Sequence, residues 1–450
     1  MLGRLGRYLG YGVGDFGLNI FWNTLSLILV FWYVEVVGLD PRAAGLVFFI
    51  GVVWDALADL WVADLAQRTR TRFGTYRPYL LVGGVVLGGS FCLLFWIPPW
   101  QGLPLVLTLT VVHILFRTAY TFVAVPYAAL ASRLTFDSGE RTWLAGIRMG
   151  FAFAGLLWVS GFIFPLARTF GEREGMAAWA YFGAAAVGAL TAFVAFVICF
   201  FGTREKAPPG HVEAPSARSG FIKLIGEWRE NPALSRLLLL LFVNSVAVSS
   251  FLLPLSFYLE ASSGLLAEKE VVLSAYALAT VLSVPVWTVV SSVIGVRQAW
   301  LWAVGVLSSS ALAFALFGPI IVGGIPIQIF GYGAGYAAFG VYIWALIPNA
   351  IEIGQWHSGK RREGAVFGAS LFVQKTAGGV AGILVGLMLA MIGYDRELGM
   401  QLPETLARLS LYLYIVPPLL VVLSGVLVLR LPFTEEEHRK IVSDLDKRTR

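Results

Sequence analysis

Residues 43–66 read AAGLVFFIGVVWDALADLWVADLA. Apart from three aspartates the stretch is apolar, and about 20 such residues cross the hydrocarbon core of a bilayer as a helix. Asp55 and Asp59 are four apart and share one face of that helix. An ionisable group at membrane depth costs at least ~2.5–3.5 kcal/mol, so that face turns toward a bundle interior or a wet cavity. Asp64 lies about half a turn off it, nearer the cytoplasmic end, and reads as an interfacial residue near Arg68.

Runs of this kind recur along the whole chain. Spans are expected at roughly 10–34, 43–66, 78–98, 104–131, 143–168, 176–201, 236–260, 271–294, 298–320, 325–349, 365–393 and 408–430. Composition agrees: 58 % of the 450 residues are hydrophobic and 13 % charged, where a soluble domain carries about a quarter charged. Trp96, Trp100 and Trp179 flank apolar runs, as interfacial aromatics do. Cys92 and Cys199 lie inside such runs and read as packing residues. No cleavable signal peptide is evident, since MLGRLGRYLGYG leads straight into a full-length span.

With the N-terminus in the cytoplasm, 24 of the 33 Lys and Arg fall on inside segments and 6 outside. This bias puts both termini inside. It also accounts for the net charge of +6 without nucleic acid. The longest connection, 202–235, is rich in Pro, Gly and charge (TREKAPPGHVEAPSARSG, 203–220) and reads as a cytoplasmic linker. It divides the chain into an N-terminal six-helix bundle (1–201) and a C-terminal one (236–430), followed by a tail (431–450). FWYVEVVGL (31–39) and SFYLEASSGL (256–265) place Glu35 and Glu260 half a chain apart, a faint internal repeat. Two such halves with a site at the midplane are a transporter design.

The charges inside spans carry the chemistry. Asp55 and Asp59 cannot both stay ionised without a positive partner. A bound cation or shared proton would serve, and so would a neighbouring Arg or Lys. Lys375 sits ~15 Å into its span and needs an anion, for which either aspartate would do; a static packing bridge is the alternative. Asp15, Asn19 and Asn23 follow one face of the first span and fit either a polyhydroxylated solute or interhelical hydrogen bonding. Arg148 is deep enough to matter. Arg117 reads as a gating or helix-pairing residue. Tyr120, Tyr127 and Trp344 offer rings for stacking, although most aromatics here belong to the core or face lipid. Gly378, Gly382 and Gly386 form a small-residue strip beside Lys375. The four histidines have no metal-site spacing, and no nucleophile or nucleotide-binding fingerprint appears. An enzyme or ATP-driven pump is therefore not expected.

YGVGDFGLN (11–19), WDALAD (54–59), RTRTRFGTYRPY (68–79), VPYAAL (125–130), GKRREG (359–364), Lys375 with its glycine strip, and the tail LPFTEEEHRKIV (431–442) together resemble the glycoside–pentoside–hexuronide:cation symporter family. The resemblance implies a major facilitator fold, an all-α membrane protein of twelve helices in two six-helix bundles, and alternating access. It places the cation on Asp55, Asp59 and Thr121 with Lys375 nearby, and solute contacts around Asn19, Tyr120, Ala124, Ala128 and Arg148. The chain departs from the pattern in several places. The best-known member of the family carries carboxylates where Asn19 and Ala124 stand and an indole at Ala128, so galactoside specificity does not carry over. The family's usual Asn in the second span is Ala58, its Pro is Leu60, and the Asp of its Arg-rich loop is Gln67, which weakens a loop latch.

The reading is cation-coupled symport of a sugar-like solute by a monomer in a bacterial inner membrane. Asp55, Asp59, Thr121 and Lys375 bind or sense the ion; Asn19, Tyr120, Arg148 and Asp15 line the solute site. A proton is favoured over sodium. Hard cations want several oxygens, and Ala58 supplies no amide oxygen where the family usually has one, whereas a buried carboxylate beside a second one readily holds a proton. Ala124 and Ala128 also fit an amphiphile such as a lysolipid. A membrane-embedded transferase would want its acidic pair near the headgroups, and a non-transporting sensor would bind without flux.

Overall fold

The computed structural model describes residues 2–134, 138–172, 179–205, 231–262, 266–359, 363–398, 401–431, 437–438, 440–441 and 443–444. Most of the expected linker, the GKRREG motif's residues 360–362 and much of the tail lie outside them, as do the side chains of Asp64, Gln67 and Trp344.

Twelve long helices run through the described residues. They are α1 (Leu2–Thr24), α2 (Pro41–Arg68), α3 (Pro78–Leu94), α4 (Leu103–Leu134), α5 (Ser138–Gly171), α6 (Ala180–Gly202), α7 (Pro232–Ala261), α8 (Lys269–Ile294), α9 (Val296–Phe317), α10 (Gln328–Ser358), α11 (Glu363–Ile392) and α12 (Pro403–Leu429). Helix α1 continues through two wider π-helical stretches, Leu25–Leu29 and Trp32–Val36. Starts are set by local chemistry. Asp40 caps α2, accepting from the amides of Arg42 (2.9 Å) and Ala43 (3.3 Å), with Pro41 in the first turn. Asn231 caps α7 in the same way ahead of Pro232.

The tenth helix begins later than the apolar run does. Residues 321–326 form a small antiparallel hairpin, Ile321 opposite Pro326 and Val322 opposite Ile325. Gly323 and Gly324 turn it with φ of +59° and +79°, a backbone that side-chain-bearing residues rarely adopt. Helix α10 then continues to Ser358, beyond the expected end at 349.

The helices divide into two units, Met1–Ala217 with Lys269–Ser274, and Arg218–Glu268 with Ala275–Arg450. Inside the first, α1 packs on α5 and α6, α3 on α4 and α6, and α2 on α4. Inside the second, α7 packs on α11 and α12, and α9 on α10 and α12. Trp287 of α8 donates to the Ala334 carbonyl of α10 at 2.7 Å. The α1–α5, α1–α6, α3–α4 and α3–α6 pairings of the first unit thus recur six helices later in the second. Bulky apolar side chains such as Val82, Phe201, Val293 and Met391 are more than 70 % exposed. Lipid, not water, is the solvent such a surface fits.

Candidate functional site

Two polar seams run through the first unit. The first joins α2 to α4. Asp55 and Thr121 are fully buried. The Thr121 hydroxyl donates to Asp55 Oδ1 at 2.7 Å and lies 3.3 Å from Asp59 Oδ1. It has one hydrogen to give. The hydroxyl therefore serves one carboxylate at a time, and the shorter distance puts its hydrogen on Asp55.

Arg117, one turn before Thr121, brings its Nη1 to 3.4 Å from Asp55 Oδ2. Its Nε donates to His113 Nε2 at 3.1 Å, and His113 Nδ1 lies 3.3 Å from the Val47 carbonyl. This pattern requires a neutral imidazole with its hydrogen on Nδ1. The ring fits against α2 because residue 51 is glycine: a Cβ there would come within 2.4 Å of Nδ1. Trp22 and Phe48 rings flank the guanidinium at 5.9 and 6.0 Å. Arg117 is thus a positive partner of Asp55 within this unit and ties α4 to α2. Lys375 itself is half-buried on α11, in the second unit. At Gly378 of its glycine strip a Cβ would meet Ser249 at an ordinary 3.6 Å.

The second seam joins α1 to α5. Arg148 Nε donates to Asp15 Oδ1 at 3.1 Å. The Asp15 side chain is 6 % exposed and the Arg148 side chain 38 %. The guanidinium lies over the Tyr127 ring at 5.5 Å. Tyr127 is core: it stacks on Tyr11 at 4.6 Å, and each hydroxyl bonds the other's carbonyl. Asn19 and Asn23 turn their amide N–H groups back onto helix carbonyls at 2.9 and 2.8 Å. Tyr120, Ala124 and Ala128 follow one face of α4, half-buried or exposed. Asp15 and Arg148 thus meet each other, and Arg148 is the more exposed of the two.

Just beyond α6, Glu205 accepts from the backbone amides of Thr75 (2.8 Å), Tyr76 (2.8 Å) and Arg77 (2.9 Å). Arg77 in turn donates to the Phe200 carbonyl through Nε at 3.1 Å. A carboxylate does hold the Arg-rich loop, but it comes from the end of α6 rather than from position 67. Sequence reasoning missed this anchor and the part played by His113. For His113 a signal existed, since His113, Arg117 and Thr121 recur every fourth residue along one face of α4. Among the described residues no cluster of three or more His, Cys, Asp or Glu could hold a metal ion.

Apolar helices in two repeating units, with buried acid–base seams inside, define an integral, multi-pass secondary transporter of the major facilitator type. The profile of the MFS/sugar transport protein family matches residues 10–435, and the chain belongs to that family, the glycoside–pentoside–hexuronide:cation symporters. It is 27 % identical to an uncharacterized symporter of Bacillus subtilis, YnaJ, over 98 % of this chain and 94 % of that one. It is 29 % identical to the putative glycoside/cation symporter YagG of Escherichia coli, over 92 % and 88 %. It is 26 % identical to the glucuronide carrier protein homolog of the same organism, over 98 % and 95 %. Among solved structures, a bacterial homolog of the lysosomal transporter Spinster shares the fold, with a TM-score of 0.66 at 14 % identity over 98 % of both chains. These proteins are carriers, and so is this chain; it is not an enzyme.

Proposed function

We propose that the protein is a cation-coupled symporter of a sugar or closely related polyhydroxylated solute, with both termini in the cytoplasm of a bacterial inner membrane. The observation that carries the reading is the single Thr121 hydroxyl between two carboxylates, 2.7 Å from Asp55 and 3.3 Å from Asp59. Asp59 takes up the coupling ion there, and a proton suits it better than sodium: Ala58 is buried and brings no side-chain oxygen, while a hard cation wants a shell of several. Lys375 is retained from the family resemblance as an ion-sensing residue.

Arg148 receives the solute. Among the described residues it spends only Nε–H on Asp15, so its terminal N–H groups remain for solute oxygens. Paired with Asp15 it is neutral overall, which suits hydroxyl groups. Asn19 and Tyr120 complete the lining, while Asp15 acts by holding Arg148. The names of the relatives, a glycoside symporter and a glucuronide carrier homolog, point to the same solute class. Accessible Ala124 and Ala128 favour a second reading, an amphiphile such as a lysolipid. Thermal-shift screening of the purified protein against a sugar library, followed by counterflow in proteoliposomes with sugars and with lysolipids, separates the two. Counterflow with a sugar supports the proposal, and counterflow with lysolipids alone overturns it.

A further inference from the structure

We propose that Arg117 is a built-in counter-cation: held by His113, it neutralises Asp55 permanently, bars sodium from the seam, and leaves ion uptake to Asp59. This rests on the reading of Asp59 as the coupling residue and adds the device that selects the ion.

The oxygens of Asp55 are both engaged by the protein. Oδ2 faces the guanidinium at 3.4 Å and Oδ1 receives the Thr121 hydrogen at 2.7 Å. Asp55 is 0 % and Arg117 3 % exposed, so water does little to screen a second positive charge placed between them. A sodium ion gathering oxygens from Asp55, Thr121 and Asp59 would have to sit beside that guanidinium. A proton carried on Asp59 would not, because it needs neither Asp55 nor a shell.

The guanidinium cannot step aside by deprotonation, since arginine keeps its charge in proteins. Nor is it loose. Its Nε is tied to His113, and His113 is tied through Nδ1 to the Val47 carbonyl of α2. The relay thus starts and ends on α2, with α4 between. Facing the guanidinium are Asp55 from α2, His113 and Tyr120 from α4, and Tyr33 from the helical segment that follows α1. His113 accepts from Arg117 only while neutral, so it is a positioning residue and not an ion carrier.

The test needs no solute. The full-length purified protein is melted in sodium chloride and in choline chloride at equal ionic strength. Wild type is expected to show no sodium-specific shift. Arg117→Ala is expected to gain a saturable, sodium-specific rise of about 2 °C or more, and Arg117→Ala/Asp55→Asn to lose it again. His113→Ala is expected to gain a weaker response, while His113→Gln, which keeps an acceptor for Arg117, stays blind to sodium. Arg117→Gln replaces Arg117→Ala should the latter not fold, and the wild-type comparison stands without either. Saturable sodium-specific stabilisation of wild type, or folded Arg117 variants that remain blind to sodium, would overturn the proposal. A failure of the coupling reading would look different: solute flux in wild type indifferent to every ion gradient, with the sodium comparison unchanged.

Discussion

Arg117 and Asp55 form an ion pair across the α2–α4 seam, Nη1 to Oδ2 3.4 Å, with side chains 4 % and 0 % exposed. Breaking a buried pair on one side leaves a charge with no compensation, at a cost of about 3–5 kcal/mol, whereas removing both partners spares it. Arg117→Ala should therefore lower the melting temperature and yield, and Arg117→Ala/Asp55→Ala should recover part of both. A double variant as poor as the sum of the singles would mean that the two are not energetically coupled.

Asp59→Asn keeps the shape of the side chain and removes its charge. It should abolish uphill accumulation while leaving solute binding and exchange, read as counterflow in proteoliposomes. Full accumulation by a well-expressed Asp59→Asn protein would sink the assignment of Asp59.

Arg148→Lys keeps the charge beside Asp15 and loses the planar fork and the stacking over Tyr127. Solute affinity should fall about tenfold or more, the equivalent of ~1.4 kcal/mol, with a much smaller change in melting temperature. Arg148→Ala should be worse on both counts, because it strands a carboxylate that is 6 % exposed. Titration calorimetry with a solute identified by screening reads the first effect; unaltered affinity in Arg148→Lys would remove Arg148 from the solute site.

Glu205 holds three consecutive amides of the Arg-rich loop. Charge-assisted bonds of this kind suggest a loss of about 1–3 kcal/mol in Glu205→Ala, with Glu205→Gln intermediate. Hydrogen exchange at residues 75–77 should accelerate in the same order. Exchange unchanged in Glu205→Ala would show that the loop is held by other contacts.

Much of the architecture is legible in the sequence because the bilayer imposes a length and a polarity on each helix. Residues 43–66 announce α2 without help from any other part of the chain. The hairpin at 321–326 is hidden because its residues are as apolar as the helices around it, and only Gly323–Gly324 marks the turn. Asp55 and Asp59 stand out by depth, and their i, i+4 spacing puts them on one face. Partners are harder to read. Which cation meets Asp55 depends on how α2 packs on α4, and which meets Asp15 on how α1 packs on α5; neither is written in local spacing. The row His113, Arg117, Thr121 could have indicated the first. Glu205 gave no signal, since a glutamate at the mouth of a Pro-rich linker looks like any solvated charge.

The most direct test of proton coupling through Asp59 is uptake of a screened solute into proteoliposomes under an imposed pH gradient, with sodium varied from nominally zero, for wild type and Asp59→Asn. Uptake by wild type should be unaffected by sodium, collapse with a protonophore, and be absent as net accumulation in Asp59→Asn. Saturable stimulation by sodium that is independent of the pH gradient, or a pH-driven accumulation that survives in Asp59→Asn, would contradict it.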